Sequence, residues 1–348
     1  MHTTDKKRLH YVDFMKGLCI LFIVVNHCCP GLFDRIASNL NFTLESFRIP
    51  MYYFISGIFF KLYDGFGDFT RRKINNMIIP LMFFFGLSCL FESLVSLIPS
   101  LSHVFQPITL ELILLYPSAV NIPLWFLVSL FAVNVFYYTL RHYMPRQRWV
   151  TIGCLFLSVL GYTLTKAHIH LPFMLNTALL GLPYFALGAM TRQLGVLEPH
   201  RLDRWGPVVM IVVLLALYPF AQQIDFLNLV LPNFFYLYLA PATSILSLLW
   251  ACKRLPHLPV ICYYGRYSLI VLGTHFPLIR FVGHLFYVLN GNQWPPHTLH
   301  MTCIIVLILE LLIIKVFVTL FPRFTAQKDF FEHGWNIGWL KPTSSHTK

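Results

Sequence analysis

Residues 8–31 read RLHYVDFMKGLCILFIVVNHCCPG. From Phe14 onward this is an apolar run of the length that crosses a bilayer, about 20 residues at about 1.5 Å each. It nevertheless carries Lys16, Asn26 and His27, with Asp13 at its start. An ionisable group within the hydrocarbon layer costs several kcal/mol unless a partner, a water-filled cavity or a function offsets it. Lys16 and His27 are eleven residues apart, which at about 100° per residue is three turns plus about 20°, with a rise of about 16 Å. Both fall on one helix face, and Asp13, one turn before Lys16, lies nearly in line and can pair with it. A single stripe thus holds a cation near one membrane surface and an imidazole well toward the other. A snorkelling lysine and a histidine bonded to a neighbouring helix would give the same pattern, so spacing alone leaves structure and function open.

Working outward, the 348 residues are 57% hydrophobic, 16% aromatic and 11% charged, against about 25% charged in a soluble domain. The composition excludes a water-soluble globule. Ten apolar windows, near residues 14–31, 47–63, 77–98, 122–140, 149–166, 172–190, 206–222, 228–251, 264–288 and 299–321, predict an all-α polytopic membrane protein of about ten transmembrane helices. We expect one domain over residues 1–348, with short tails at 1–12 and 323–348 and no appended soluble domain. The first span is expected to be retained, since Asp13 and Lys16 open it and no small-residue cleavage site follows.

The net charge of +12 would raise the question of nucleic acid on a soluble chain. Here the cations sit between spans. Twenty of the 26 Lys and Arg fall in the two tails and the even-numbered connections: Lys6, Lys7 and Arg8; Lys61 with Arg71, Arg72 and Lys73; Arg141, Arg146 and Arg148; Arg192, Arg201 and Arg204; Lys253, Arg254 and Arg266; then Arg323, Lys328, Lys341 and Lys348. Loops on the opposite side hold only Arg35 and Lys166. Because basic loops resist translocation, both termini are expected in the cytoplasm. The charge is then a topology signal, and no nucleic-acid partner is expected.

Other intramembrane polar residues are Glu92, Glu310 and Lys315, expected to find interhelical partners, Asn134, expected as ordinary packing or polar lining, and His275, whose default reading is a buried, satisfied histidine. Arg48 is expected to open the second span from the outer side, followed by Pro50 and Ser56-Gly57. His275 sits about 13 Å above Arg266, two residues before Pro277, which can kink its helix. Loop histidines His103, His168, His170, His297 and His300 include two closely spaced pairs, but no acid or Cys ligand is near them in sequence, so solvated side chains are the expectation and a metal is not. The eight cysteines show no CxxC and read as small core residues. Phe330, Phe331, Trp335 and Trp339 suit a cytoplasmic interface.

The span from Arg8 through Lys16 to His27, a cation, ten residues, then His, resembles the opening of the membrane-bound acyltransferase 3 family. Three further segments are similar to the same family: Phe47-Arg48-Ile49-Pro50-Met51-Tyr52-Tyr53-Phe54-Ile55-Ser56-Gly57, Pro123-Leu124-Trp125-Phe126-Leu127, and Gly265-Arg266-Tyr267-Ser268-Leu269 followed by His275-Phe276-Pro277. Together they cover nearly the whole chain, with the flavour of the small fucose 4-O-acetylase-like members. Two departures stand out. The family commonly has His where this chain has Arg48, and an Arg-x-x-Arg pair ahead of the Ile-Pro that opens span three, where this chain has Lys73 and Asn76 with Arg71 and Arg72 just upstream.

The resemblance implies transfer of an acyl group, usually acetyl, from cytosolic acyl-CoA as co-substrate to a hydroxyl of a glycan or glycolipid in the cell envelope, at a plasma (bacterial inner) membrane, without a permanently bound cofactor. Lys16, Arg71, Arg72 and Lys73 are suited to the donor's phosphates. His27 would act as general base or transient acyl carrier, Asp13 would hold Lys16, and Arg48, Ser268 and His275 would contact acceptor or thioester. The competing reading is a proton-coupled secondary transporter, which ten spans with buried Glu, Lys and His also suit. Against it, the unusual polar residues concentrate in one span and its neighbouring loop, and no Gly/Pro-broken pair recurs in matching halves.

Overall fold

A computed structural model describes residues 9–29, 38–102, 120–144, 146–293 and 297–332. Lys6, Lys7, Arg8, Arg35, His103, Trp335, Trp339, Lys341 and Lys348 lie outside the described residues. The chain is a bundle of helices: α1 (His10–Cys28), α2 (Ser38–Ile58), α3 (Phe66–Lys73), a π-helical turn (Ile74–Ile78) leading into α4 (Ile79–Ser96), α5 (Trp125–Tyr143), α6 (Gln147–Lys166), α7 (Leu175–Gln193), α8 (Gly206–Leu217), α9 (Phe234–Cys252), α10 (Pro259–Arg266), α11 (Ser268–Leu289) and α12 (Thr298–Leu320). Among the described residues β pairing is limited to one isolated bridge, Asp225 with Val230.

All ten predicted spans contain a helix, and eight helical segments are long and apolar enough to cross a membrane. The two that fall short, α2 and α7, are central. They pack on each other so closely that a Cβ at Gly57 would sit 2.0 Å from Phe185 O and one at Gly188 1.9 Å from Phe54 O. A helix sheathed by other helices need not be apolar all round, because protein rather than lipid meets its polar groups. The same reason corrects the placement of Arg48. The helix begins at Ser38, so Arg48 lies midway along α2 rather than at its mouth. The predicted ninth span is also two elements: the chain departs from helical geometry at Tyr267 (φ −111°, ψ 24°), dividing α10 from α11.

Helix α1 is the spine. Val12, Phe14, Met15 and Cys19 join the apolar cluster built with α2, α5, α6, α7 and α9, whereas Ile20, Ile23, Val24, Cys28 and Cys29 join the cluster with α4, α11 and α12. Against α10 the backbones nearly touch: a Cβ at Gly265 would lie 1.8 Å from Asp13 O, and one at Gly17 1.9 Å from Ile261 O.

Prolines inside helices leave carbonyls four residues earlier without a donor, and in a low-dielectric bundle such a group must be met elsewhere. Pro277 orphans Gly273 O, which accepts from Asn121 Nδ2 at 2.8 Å. Pro241 orphans Leu237 O, which accepts from the Tyr184 hydroxyl. The intramembrane acids are partnered as well: Glu92 pairs with Arg280, and the fully buried Glu310 lies 2.9 Å from Thr274 Oγ1 through either carboxyl oxygen. Lys315 is exposed.

Replacing Asn121 by Leu or Tyr184 by Phe strips a buried carbonyl of its donor. Each should cost about 1–3 kcal/mol, measured as a lower unfolding midpoint of the detergent-solubilised protein.

Candidate active site

The stripe predicted on α1 ends against α11. The His27 and His275 rings are 5.4 Å apart between centroids and inclined by 46°, and Phe276 meets His27 edge-on at 5.8 Å. His275 is fully buried, while His27 keeps an exposed surface. Nδ1 of His275 is 2.6 Å from Val271 O. A carbonyl can only accept, so Nδ1 carries the hydrogen and, in the neutral ring, Nε2 holds the lone pair. Among the described residues that Nε2 is buried with no hydrogen-bond partner. A buried acceptor left unpaired costs about 1–3 kcal/mol, and here it sits beside a second imidazole.

Arg48 approaches from α2. Its Nη2 is 2.8 Å from Glu45 Oε1, its Nη1 reaches Phe22 O at 3.4 Å, and its own carbonyl accepts from the Cys19 thiol at 3.3 Å. The guanidinium therefore lies against α1 about one turn before His27, close enough for its charge to act on that imidazole. Toward the other end, the Tyr52 hydroxyl donates to Lys16 O at 3.2 Å, with Ser268 close by. Lys16 is half-buried there and Asp13 buried, one turn away on the same helix. Three elements, α1, α2 and α11, thus converge on one column from Asp13 and Lys16 past Ser268 and Arg48 to His27 and His275. Cys28 and Cys29, next after His27, are buried in the same apolar cluster as Cys303 of α12.

The basic loop before α4 divides its cations among different tasks. Asp68 binds Arg71 Nη2 at 2.8 Å and Arg72 Nε at 2.9 Å. Arg71 is buried, and its Nη1 also reaches Phe331 O at 2.6 Å, Glu332 O at 3.3 Å and Asp329 Oδ2 at 3.3 Å. Its guanidinium is committed to the chain's own C-terminal segment. Asn75, in the π-turn, completes that clamp: its Nδ2 donates to Phe331 O and its Oδ1 accepts from Phe331 N, both at 3.0 Å. Phe324 and Phe330 continue the contact, with Phe324 stacked on Phe83 at 5.0 Å. Arg72 lies over the Tyr63 ring at 4.7 Å, and the buried Lys73 lies 5.6 Å from the centre of Phe69.

Residues 9–314 match the acyltransferase 3 family model, described as an acyltransferase domain. The chain belongs to the acyltransferase 3 family. It is a multi-pass membrane acyltransferase. Searches of curated proteins and of solved structures return no match.

Sequence reasoning missed Tyr52, Asn75 and Asn121 as site-supporting residues. Only Asn121 had a readable cue, since Pro277 announces an unsatisfied carbonyl at Gly273, but nothing in the chain says which donor fills it. His297 and His300, considered as metal ligands, have exposed rings 6.1 Å apart. Among the described residues no group of three or more His, Cys, Asp or Glu is placed to hold a metal ion.

Arg71→Ala with Asn75→Ala should release the segment around Phe331. Limited trypsin digestion should then cut at Lys328 at least several-fold faster than in the unaltered protein, with the helical bundle intact by circular dichroism.

Proposed function

We propose that this acyltransferase carries an acyl group, acetyl first among candidates, from acyl-CoA to a hydroxyl of a cell-envelope glycan or glycolipid. The donor enters at the end of the bundle that holds Lys16, Arg72 and Lys73, which faces the cytoplasm together with both termini, in the plasma (inner) membrane of a bacterium. The observation that carries the reading is the His27–His275 pair: two imidazoles from different helices, one exposed and one with a buried, unpartnered Nε2.

The acceptor hydroxyl oxygen attacks the thioester carbonyl, His27 takes the hydroxyl proton, and the C–S bond breaks to release the thiolate of CoA, which collects a proton. His275 is the positioning partner. Its Nε2 lone pair would accept an N–H from His27, holding that ring with its other nitrogen open to the substrate, in the manner of a base oriented by a second group. Arg48 supplies positive charge beside the carbonyl oxygen as it becomes an oxyanion. Lys16, about 16 Å along the helix from His27, supports donor phosphate while the pantetheine arm spans the distance. Asp13 sets the Lys16 side chain, and Ser268 and Tyr52 fix the wall between the two ends.

Purified protein in detergent or vesicles, given labelled acetyl-CoA and a crude glycan extract, should place label in an alkali-labile ester. His27→Ala should lower that transfer by about 10²-fold or more, with the folded protein still in the membrane. His275→Gln should act on the same step, and His27→Ala/His275→Gln should be no worse than His27→Ala alone, because residues acting as a unit are not additive. Near-normal transfer by His27→Ala would remove the assignment. Uptake of substrate without any ester formed would replace transfer with transport.

A further inference from the structure

Glu310, on α12, is fully buried, and the transfer step leaves it unused. Its carboxyl group meets α11 one residue before His275: Thr274 Oγ1 lies 2.9 Å from Oε1 and 2.9 Å from Oε2. Among the described residues Thr274 is its hydrogen-bonding partner, and no lysine, arginine or histidine nitrogen pairs with it. The helices that pack on α12 are α1, α4, α10 and α11. Their ionisable groups are turned to other atoms. Arg280 pairs with Glu92, Nδ1 of His284 donates to Arg280 O at 2.7 Å, and the Tyr264 hydroxyl donates to Leu307 O. His27 faces His275, Asp13 and Lys16 belong to the opposite end of α1, and Lys315 of α12 itself is exposed.

The hydrogens in this contact can be counted. Thr274 Oγ1 is also 2.8 Å from Ile270 O, so three oxygens compete for a hydroxyl that has one hydrogen. A backbone carbonyl only accepts, and a bond from a threonine hydroxyl to the carbonyl four residues back is a recurrent helical contact. With that hydrogen on Ile270 O, an ionised Glu310 would set two negative oxygens against the lone pairs of Thr274, inside the bundle and without a cation. Such a charge costs several kcal/mol. A hydrogen on the carboxyl group removes both difficulties: Glu310 donates to Thr274 Oγ1, Thr274 donates to Ile270 O, and each hydrogen has one acceptor.

The same turn of α11 carries His275. Ile270 O receives the Thr274 hydroxyl, and the next carbonyl, Val271 O, receives His275 Nδ1 at 2.6 Å. Gly273 O is held by Asn121, and Gly273 lies so close to Phe84 of α4 that a Cβ there would sit 2.2 Å from the ring. The turn is therefore gripped from α12 and from the α4 side together. We propose that Glu310 carries a proton in the folded protein and, by donating it to Thr274 Oγ1, acts as a positioning residue for His275. The role in transfer rests on the His27–His275 reading above; the location of the proton does not.

Infrared spectra of the full-length protein in vesicles at neutral pH are recorded alongside Glu310→Gln, Glu310→Leu and Thr274→Val, with melting curves for each, and kcat and KM for acyl transfer are measured on the same preparations. The expected difference between unaltered protein and Glu310→Gln contains the C=O stretch of a protonated carboxyl group, and Thr274→Val shifts that band because the acceptor of its hydrogen is gone. Glu310→Leu and Thr274→Val should lower kcat about 10-fold or more with KM little changed. Glu310→Gln, whose amide still donates to Thr274 Oγ1, should recover most of that loss, and Glu310→Leu added to His275→Gln should cost nothing further. A carboxylate band in place of the carboxylic acid stretch overturns the proton assignment. An unchanged kcat in Glu310→Leu, or a full further loss on the His275→Gln background, overturns the positioning role and leaves the His27 assignment standing. If the unaltered protein transfers nothing, the positioning role falls with the reading it rests on, while the infrared band still decides where the proton lies. Should Glu310→Gln not fold, the shift in Thr274→Val supplies the comparison.

Discussion

The near-contact between the backbones of α1 and α10 is the constraint on which the site depends. Glycine at 17 and at 265 removes the side chains that would hold these helices apart; any Cβ there would lie within 2 Å of a carbonyl oxygen on the other helix. Because α10 leads through Tyr267 into α11, this contact also fixes the height at which α11 runs beside α1. His275 therefore arrives level with His27 instead of one turn above or below. The arrangement follows the rule for packing in lipid, where helices associate through close approach of small residues because burying apolar surface brings little gain.

Inside the bundle, polar groups sort by whether they are satisfied. Glu92 with Arg280, Glu310 with Thr274, and Asn121 with Gly273 are pairs whose partners balance the cost of desolvation. Among the described residues the buried Nε2 of His275 is not balanced, nor are Asn121 Oδ1, Asn134 Oδ1 and Thr302 Oγ1, but of these it is His275 whose ring lies against a second imidazole. Buried unpaired atoms need an explanation in a native structure, and one that faces a second imidazole, with an arginine close by, is explained by chemistry better than by packing.

The basic end of the molecule thus has two layers. Asp68, Arg71 and Asn75 tie the C-terminal segment to the start of α4, a structural clamp closed by a π-turn, and π-turns are frequent near functional sites. Arg72, Lys73, Arg141 and Arg192 lie around the aromatic set Phe60, Phe69, Tyr137 and Tyr138, where Tyr138 stacks on Phe69 at 4.2 Å. Cations over ring faces keep part of their attraction for anions while their stems remain packed. Adjoining them, the column of Asp13, Lys16 and Ser268 leads inward.

The sequence by itself determined the class of the protein and most of its helices, since the length and apolarity of a span are local properties that a bilayer enforces. It also determined the Lys16–His27 stripe, because helical periodicity aligns residues within one element. It misplaced the start of α2, where the polar residues ahead of position 47, Asn39, Asn41, Glu45 and Ser46 among them, fall outside the apolar window: the helix is sheathed by protein, and burial among other helices cannot be read from hydropathy. The division of α10 from α11 was hidden for a similar reason, a single non-helical residue inside an apolar run. Only the tertiary structure decided that His275 faces His27, that Asn121 fills the carbonyl freed by Pro277, and that Arg71 reaches residues about 260 positions away. Each of these is a contact between segments distant in the chain, and a histidine, asparagine or arginine carries the same side chain whether its partner is a backbone carbonyl, another ring or a phosphate. The partner is set by how the helices pack.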